Sequence, residues 1–197
     1  MKVEIDKTYT LAAPVDRAWE LLQDIGSVAS CMPGAEITER IDDAHYKGLV
    51  KVKVGPASAE FKGDIEVQGT DAGKRELILL GKGSDTRGSS SASMLLTASI
   101  GDAGDGASEL HGRAEVTVNG KMASFGGRMM ESIADRILQQ FADNFADRAV
   151  AMGGGSEAEA AAGRVEEKPA EINGLALLWQ VIAGFFSRLL GRGSGAS

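Results

Sequence analysis

Hydrophobic and polar positions alternate over much of the first 120 residues, and this period of two predicts β-strands. The alternation is clearest over 57–69, where small and apolar residues fall on one face and charged or polar residues on the other. A sheet with one covered and one solvated face produces this pattern. The predicted strands are 2–12, 35–41, 44–54, 57–69, 75–82, 91–100 and 107–118, separated mostly by Gly-containing turns.

Two short helices are predicted between the first and second strands. Ala13-Pro14 begins a helix that continues through Leu22, because Pro is favoured in the first turn. The second helix covers 24–30 and ends before Met32-Pro33-Gly34, where Pro and Gly force a turn. Both helices are too short to form a core of their own, so we expect them to pack on the sheet.

After Asn119-Gly120 the period of the apolar positions changes from two to nearly four. This change predicts one amphipathic helix of about 28 residues, roughly 42 Å long. Because the helix must cover its apolar stripe, we expect it to lie on the inner face of the sheet. The predicted fold class is α+β, an antiparallel sheet wrapped around a long C-terminal helix. The stripe consists of Phe125, Met129, Ile133, Ile137, Phe141 and Phe145.

Composition divides the 197 residues into three zones. Residues 1–150 have the periodicity of a single folded domain. Residues 151–171 are mainly Gly, Ala and Glu, which predicts a flexible, solvated linker that can form a transient helix around its alanines. Residues 172–197 begin with a dense apolar run and end in GRGSGAS, which predicts a hydrophobic tail helix with a frayed terminus.

Charge and residue counts exclude several functional classes. The net charge is -7, whereas a nucleic-acid-binding protein carries a basic excess or a basic stripe, so no nucleic-acid partner is expected. One cysteine (Cys31) and two histidines (His45 and His111) leave little material for disulfides, metal sites or acid–base catalysis. We therefore expect no catalytic and no metal-binding residues. The charged, alternating N-terminus is unlike a secretory signal, which predicts a cytoplasmic setting.

Three stretches of sequence carry a resemblance to a known family: VASCMPGAE (28–36), VGPASAEFKGDIEV (54–67) and VTVNGKMASFGGRMMESIADRILQQF (116–141). With them the chain resembles the carbon monoxide dehydrogenase G-subunit family of the START/polyketide-cyclase (SRPBCC) superfamily. The resemblance covers 1–150 in motif and element order, and the tail in architecture. It implies the helix-grip fold and an accessory protein without catalysis of its own. The resemblance also implies that the protein assists a molybdenum-containing dehydrogenase at the cytoplasmic membrane. It further implies a lipophilic ligand bound between the sheet and the long helix.

Small side chains on the inner face of the sheet have two interpretations. They either let the long helix approach closely or leave a cavity for a ligand. Flexible methionines on the helix and on the strand 91–100 favour a hydrophobic cavity, since Met adapts to irregular contents. The residues expected to contact the ligand are Phe61, Met94, Phe125, Met129, Ile133 and Ile137.

Two segments are expected at the rim of this cavity. Met32 and Pro33 lie in the turn before the second strand. Gly126 and Gly127 lie where the long helix begins, and a glycine inside a helix costs about 1 kcal/mol relative to Ala. These two glycines either make a tight turn into the helix or form a hinge that admits a ligand.

The tail has the pattern of an amphipathic helix. Residues 172–190 would be about 28 Å long, with apolar and polar residues on opposite sides. This pattern favours a helix in the membrane interface, while a transmembrane span and docking on a protein are the alternatives. The residues expected to bind the membrane are Leu178, Trp179, Ile182, Phe185, Phe186, Arg188, Leu189 and Leu190.

Together these features predict a non-catalytic carrier. We expect it to bind a respiratory quinone, menaquinone or ubiquinone, and to move it between the membrane and the carbon monoxide dehydrogenase complex. No covalently bound cofactor is expected, and the predicted location is peripheral, on the cytoplasmic face of the cell membrane. The alternative is an adaptor or assembly factor that recruits the dehydrogenase to membrane lipid with no bound ligand. A cyclase-like enzyme is less favoured, because the inward positions are apolar.

Overall fold

The structure is a computed structural model, and it describes residues 1–54, 57–153 and 156–167. A 3-10 helix, Lys121–Phe125, precedes the first of the two C-terminal helices. The elements in chain order are β1 (Lys2–Leu11), α1 (Val15–Gln23), α2 (Ile25–Cys31), β2 (Ala35–Arg40), β3 (His45–Val54), β4 (Ala57–Asp71), β5 (Glu76–Asp85), β6 (Ser90–Gly104), β7 (Ala107–Gly120), α3 (Gly127–Ala151) and α4 (Ser156–Glu167).

The seven strands form one antiparallel sheet in the order β1-β7-β6-β5-β4-β3-β2. Consecutive strands from β2 to β7 are neighbours, and β1 pairs with β7 at one edge. Register shifts interrupt the pairing of β2, β4 and β6, and such bulges bend a strand and increase its twist. The sheet and the long helix behind it confirm the predicted fold class.

Alternation of side chains gives the sheet an inner and an outer face. In β5, Leu77 and Leu79 are buried, whereas Leu95 on the outer face of β6 is 43% exposed. Strand pairing aligns the inner residues in rows across the sheet. One such row contains Val67, Leu79, Leu96 and Ala114.

The core lies at one end of the inner face, which we call the closed end. There α1 and α2 meet the C-terminal half of α3, whose Phe145 has no exposed surface. Two hydrogen bonds fix α3 to α2: Asn144 Nδ2 donates to the Cys31 carbonyl at 2.8 Å, and Arg148 Nη1 donates to Ser30 Oγ at 2.7 Å. Residues buried in this cluster include Leu11, Leu21, Leu22, Leu77, Ile100 and Leu110.

Part of the segment predicted as a flexible linker, 151–171, is a helix in the structure. This helix, α4, packs on α3 with Ala158 and Ala161 buried, and Arg164 forms an ion pair of 2.8 Å with Asp147. Over Ser156–Glu167 the structure thus has a docked helix within the segment where a flexible linker was expected. Alanine has the highest helix propensity, and its small side chain lets two helices approach closely. The predicted domain boundaries themselves stay predictions.

We expect Ala161→Asp to release α4 from α3, because the change places an unpaired carboxylate at a position with no exposed surface. Amide hydrogen exchange measures this: protection of α4 should fall, while protection of the sheet is retained. Ala162→Asp is the matched control, since Ala162 is exposed on the same helix. Equal protection of α4 in both variants would contradict docking through this face.

No helix within the described ranges is long and apolar enough to cross a bilayer. The predicted membrane-binding residues, Leu178 to Leu190, lie outside those ranges.

Candidate functional site

The two halves of α3 differ in how they meet the sheet. Phe145 in the C-terminal half is fully buried, whereas Met129 near the N-terminus is 43% exposed and Phe125 just before it is 37% exposed. All three belong to the same apolar stripe. The main strand contact of α3 is with the edge strand β1, at which Lys7 forms an ion pair of 2.9 Å with Asp135. A cleft therefore remains between the N-terminal half of α3 and the inner face of the central strands.

The floor of this cleft is apolar. Ile65, Gly81, Met94 and Val116 lie side by side on the inner face of β4, β5, β6 and β7. A Cβ built at Gly81 would meet no atom closer than the Met94 Cε at 3.9 Å. The floor thus has room above its centre, at what we call the open end of the sheet.

A second group of small residues allows neighbouring strands of the sheet to approach closely. Gly48, Gly63 and Gly83 are in register on β3, β4 and β5. A Cβ at Gly63 would overlap the Lys82 carbonyl oxygen, so only glycine fits the close approach of the two backbones. At Gly63 the small side chain permits the backbone geometry, and it does not provide cavity volume.

The entrance to α3 differs from the continuous helix of about 28 residues expected after Gly120. The structure has a 3-10 helix followed by the 25-residue α3, and Gly126 between them has a φ of +80°. Such a left-handed conformation favours glycine and ends the first helix. Gly126 and Gly127 therefore form a tight turn into α3, which is one of the two roles that the sequence allowed for them. Their role as a hinge or rim stays a prediction.

The 3-10 helix is anchored at the open end of the sheet. The Lys121 N–H donates to the Ser89 carbonyl at 3.0 Å, and the Met122 N–H donates to Ser90 Oγ at 3.0 Å. Both acceptors lie in or beside the turn that joins β5 to β6. Phe125 at the end of the 3-10 helix is thereby held at this end of the cleft.

The six predicted ligand-contacting residues lie on the elements that border the cleft. Phe61 and Met94 are half-buried on its floor, Ile133 and Ile137 are half-buried on α3, and Phe125 and Met129 are exposed. The fold thus brings residues from two strands and one helix region to one cleft. Their contact with a ligand stays a prediction.

The other predicted rim segment lies before β2. Pro33 is buried and Met32 is half-buried. The Lys51 N–H donates to the Gly34 carbonyl at 2.8 Å, and Val50 of the same strand pairs with Phe61. The register therefore places this turn near the row of Phe61, directly after Cys31, whose carbonyl accepts from Asn144 of α3.

Sequence reasoning missed Asp85, which ends β5 on the inner face beside Phe61. This side chain is only 6% exposed. Its Oδ2 accepts a hydrogen bond of 2.6 Å from Ser89 Oγ, whereas its buried Oδ1 has no hydrogen-bond partner among the described residues. The Ser89 hydroxyl holds the pKa of Asp85 below its ordinary value, so the group is ionised at neutral pH. Leu77, Leu79 and Gly81 alternate along the inner face of β5, and extending this alternation to position 85 would have placed Asp85 on the same face.

A separate cavity of about 250 Å³ lies near the same end, at the hairpin of β3 and β4. Its lining is mostly polar or charged, and it includes none of the six predicted ligand-contacting residues. It is therefore a surface pocket distinct from the apolar cleft. The lining residues are Lys51, Val52, Ser58, Ala59, Glu60, Thr86 and Arg87.

Both histidines contact an aspartate at the protein surface. His111 Nε2 lies 2.8 Å from Asp6 Oδ1, and the Arg113 Nε donates to Asp6 Oδ2 at 3.2 Å. The hydrogen bond with His111 is the main cause that lowers the pKa of Asp6. His45 forms a similar pair with Asp42 at 2.8 Å. Within the described ranges no cluster of His, Cys, Asp and Glu has an arrangement that could hold a metal ion.

Solved structures show the same fold at low sequence identity. A conserved protein from Geobacillus kaustophilus matches with a TM-score of 0.67 at 20% identity, covering 75% of this chain and 95% of its own. An aromatase/cyclase from Streptomyces sp. R1128 matches with a TM-score of 0.54 at 17% identity, covering 79% and 100%. A START superfamily protein from Mycobacterium smegmatis matches with a TM-score of 0.50 at 16% identity, covering 74% and 96%. These similarities establish the START-like helix-grip fold.

Comparison with protein families is more specific. No curated protein matches the chain. The family model for CoxG, the G-subunit of carbon monoxide dehydrogenase, matches residues 8–150, which include the end of β1, the other six strands, the cleft and most of α3. The chain therefore belongs to the CoxG family of carbon monoxide dehydrogenase proteins.

Proposed function

We propose that this protein is a non-catalytic accessory protein of a molybdenum-containing carbon monoxide dehydrogenase, and that it carries a respiratory quinone between the membrane and the enzyme. Membership of the CoxG family supports the partner. The observation that supports a lipophilic ligand is the apolar cleft. There Phe125 and Met129 are exposed, although they belong to the apolar stripe that is buried farther along α3. Ligand sites are clefts lined mainly by apolar side chains.

An isoprenoid chain suits this cleft because the chain is apolar and has no groups that need hydrogen-bond partners. Each 100 Å² of apolar surface removed from water contributes roughly 2.5 kcal/mol. The half-buried floor around Met94 and the side chains of Ile133 and Ile137 offer such surface on both sides. Methionine also adapts its shape to a flexible occupant. Menaquinone and ubiquinone are the two respiratory quinones proposed as cargo, and neither would be covalently bound.

The membrane contact is proposed for the apolar tail that follows α4. Its residues Leu178, Trp179 and Phe185 belong to the apolar side of the expected helix, and Arg188 supplies a positive charge. Helices of this pattern lie in the interface and bind anionic lipid through basic residues. We propose peripheral binding at the cytoplasmic face of the cell membrane, so that the folded domain stays close to its lipid-soluble cargo.

Filling the cleft should abolish quinone binding. We expect Gly81→Leu to reduce binding at least tenfold, because the new side chain would occupy the space above Met94. The matched control is Ser84→Leu, which adds the same side chain to the exposed outer face of the same strand. The measurement is the quinone content of each full-length protein, purified from its own membranes and extracted with organic solvent. Titration of the emptied proteins with a short-chain quinone gives the affinity.

Equal quinone content in Gly81→Leu, Ser84→Leu and the unchanged protein would contradict the cleft as the binding site. If none of the three contained quinone or bound it on titration, the carrier would be excluded. Copurification with the dehydrogenase in that case would favour the adaptor, which needs no ligand. If Gly81→Leu loses quinone but keeps its association with the dehydrogenase, carriage and recruitment are separate properties.

A further inference from the structure

We infer that Asp85 makes the open end of the cleft selective for a hydrogen-bond-donating head group, and that the protein therefore binds a quinol more tightly than the corresponding quinone. This inference rests on the proposed quinone-binding function and adds to it the redox form of the cargo.

The position of Asp85 brings it to the expected head-group site. It extends the inner-face series of β5 beyond Gly81 and Gly83, and it pairs with Phe61, one of the residues expected to contact the ligand. Across the turn, Ser90 holds the 3-10 helix that leads to Phe125. Asp85 is thus buried at the open end of the sheet, beside the turn that anchors the 3-10 helix.

One of the two carboxylate oxygens of Asp85 has no hydrogen-bond partner among the described residues. Ser89 Oγ donates to Oδ2 at 2.6 Å, which accounts for one oxygen and stabilises the turn. Oδ1 is buried without a partner among the described residues. A buried charged acceptor without a donor is costly, and in native structures such atoms are rare. After the Ser89 hydroxyl, the backbone N–H groups of Arg87 and Ser89 also lower the pKa of Asp85, so the carboxylate stabilises the turn as well.

Two other buried oxygens also lack partners in the described part of the chain, and both differ from Asp85. Ser108 Oγ lies at the closed end, where β7 pairs with Leu11. Asn144 Oδ1 belongs to the side chain that joins α3 to α2. Both are neutral groups in well-packed regions. Asp85 alone among these three combines a charge with a place at the open cleft.

The two redox forms of a quinone differ in the hydrogen bonds that they can form with a carboxylate. A quinone head has two carbonyl oxygens, which only accept hydrogen bonds and are repelled by a carboxylate. A quinol head has two hydroxyl groups, each of which can donate to Oδ1. Charge-assisted hydrogen bonds of this type are short and strong. The carboxylate therefore stabilises the bound quinol and destabilises the bound quinone.

Preference for the quinol has a measurable redox consequence. A tenfold tighter binding of the reduced form raises the midpoint potential of the bound two-electron couple by about 30 mV. Tighter binding of the quinol also suits a carrier that removes the reduced product from the enzyme. The free quinone would then exchange more readily than the quinol.

The test compares the two redox forms on the full-length protein. The probe is a naphthoquinone with a short isoprenoid chain and the naphthoquinol made from it, titrated anaerobically by calorimetry. We expect the quinol to bind at least tenfold more tightly. In Asp85→Asn this ratio should fall to about twofold or less, with the quinone affinity retained or increased because the amide can donate to a carbonyl.

Three results would overturn the inference. Equal binding of both redox forms by the unchanged protein overturns it and leaves quinone carriage intact, whereas binding of neither form overturns both. An undiminished quinol preference in Asp85→Asn also overturns it. Asp64→Asn is the matched control, since Asp64 is exposed on the outer face of β4. Ser89→Ala removes only the partner of Oδ2, so this variant should keep the preference for the quinol. It provides a second test if Asp85→Asn folds poorly.

Discussion

Replacing Phe145 by Ala should lower the free energy of unfolding by about 3–5 kcal/mol, the usual cost of deleting a buried phenyl ring. Phe145 has no exposed surface and lies where α3 meets the two short helices and the sheet. Its ring centroid is 5.7 Å from that of Phe141 in a tilted arrangement, which adds an aromatic contact to the burial. Urea denaturation followed by circular dichroism measures the change.

Phe125→Ala is the matched control for this prediction. Phe125 lies on the same apolar stripe but is 37% exposed, so its truncation should cost less than about 1 kcal/mol. The same change should weaken quinone binding, since Phe125 borders the cleft. Equal losses of stability in both variants would contradict the division of α3 into a buried and an open half.

Gly63→Ala is expected to destabilise the fold by about 1–3 kcal/mol, the typical cost of overpacking. The added Cβ would overlap the Lys82 carbonyl oxygen on β5, and Gly83 Cα also lies too close. Neither neighbour is a flexible side chain, so β4 and β5 must separate to make room. The midpoint of thermal unfolding should fall by several degrees, since 1 kcal/mol corresponds to about 2–4 °C in a domain of this size.

Gly81→Ala provides the comparison for Gly63→Ala. Gly81 pairs with Ile65, two residues along β4 from Gly63, yet its added methyl group would meet only the Met94 Cε at 3.9 Å. We expect this variant to change the free energy of unfolding by no more than about 0.5 kcal/mol. A similar loss in both variants would mean that the cost arises from glycine in a strand generally, and not from the contact of two backbones.

These predictions assign different tasks to the two ends of the sheet. The closed end, around Phe145, supplies stability through packing. The open end, around Gly81 and Asp85, contains space and an unpaired acceptor, both of which cost stability in the free protein. Proteins commonly accept such costs at functional sites. Variants at the open end should therefore change ligand binding more than they change unfolding.

Local patterns were sufficient to predict most elements of the fold. Alternation over 57–69 predicted β4 and its two faces, because successive side chains of a strand point to opposite sides. The change to a period of nearly four after Gly120 predicted the long helix for the same kind of reason. The motifs near Gly63 and Gly126 also indicated the family, which the match over 8–150 established.

Contacts between residues distant in sequence decided the rest. Composition could not show that Ala161 would be buried on α3, since a docked helix and a linker share the same residues. The periodicity of the stripe did not distinguish Phe145 from Met129, whose environments depend on where α1 and α2 lie. Asp85 could be placed on the inner face by counting, but its unpaired oxygen is known only from its neighbours in space. The sequence by itself determined the elements and their faces, because these follow from short-range geometry. Only the tertiary structure determined which parts of those faces are packed and which remain open, because packing depends on all elements together.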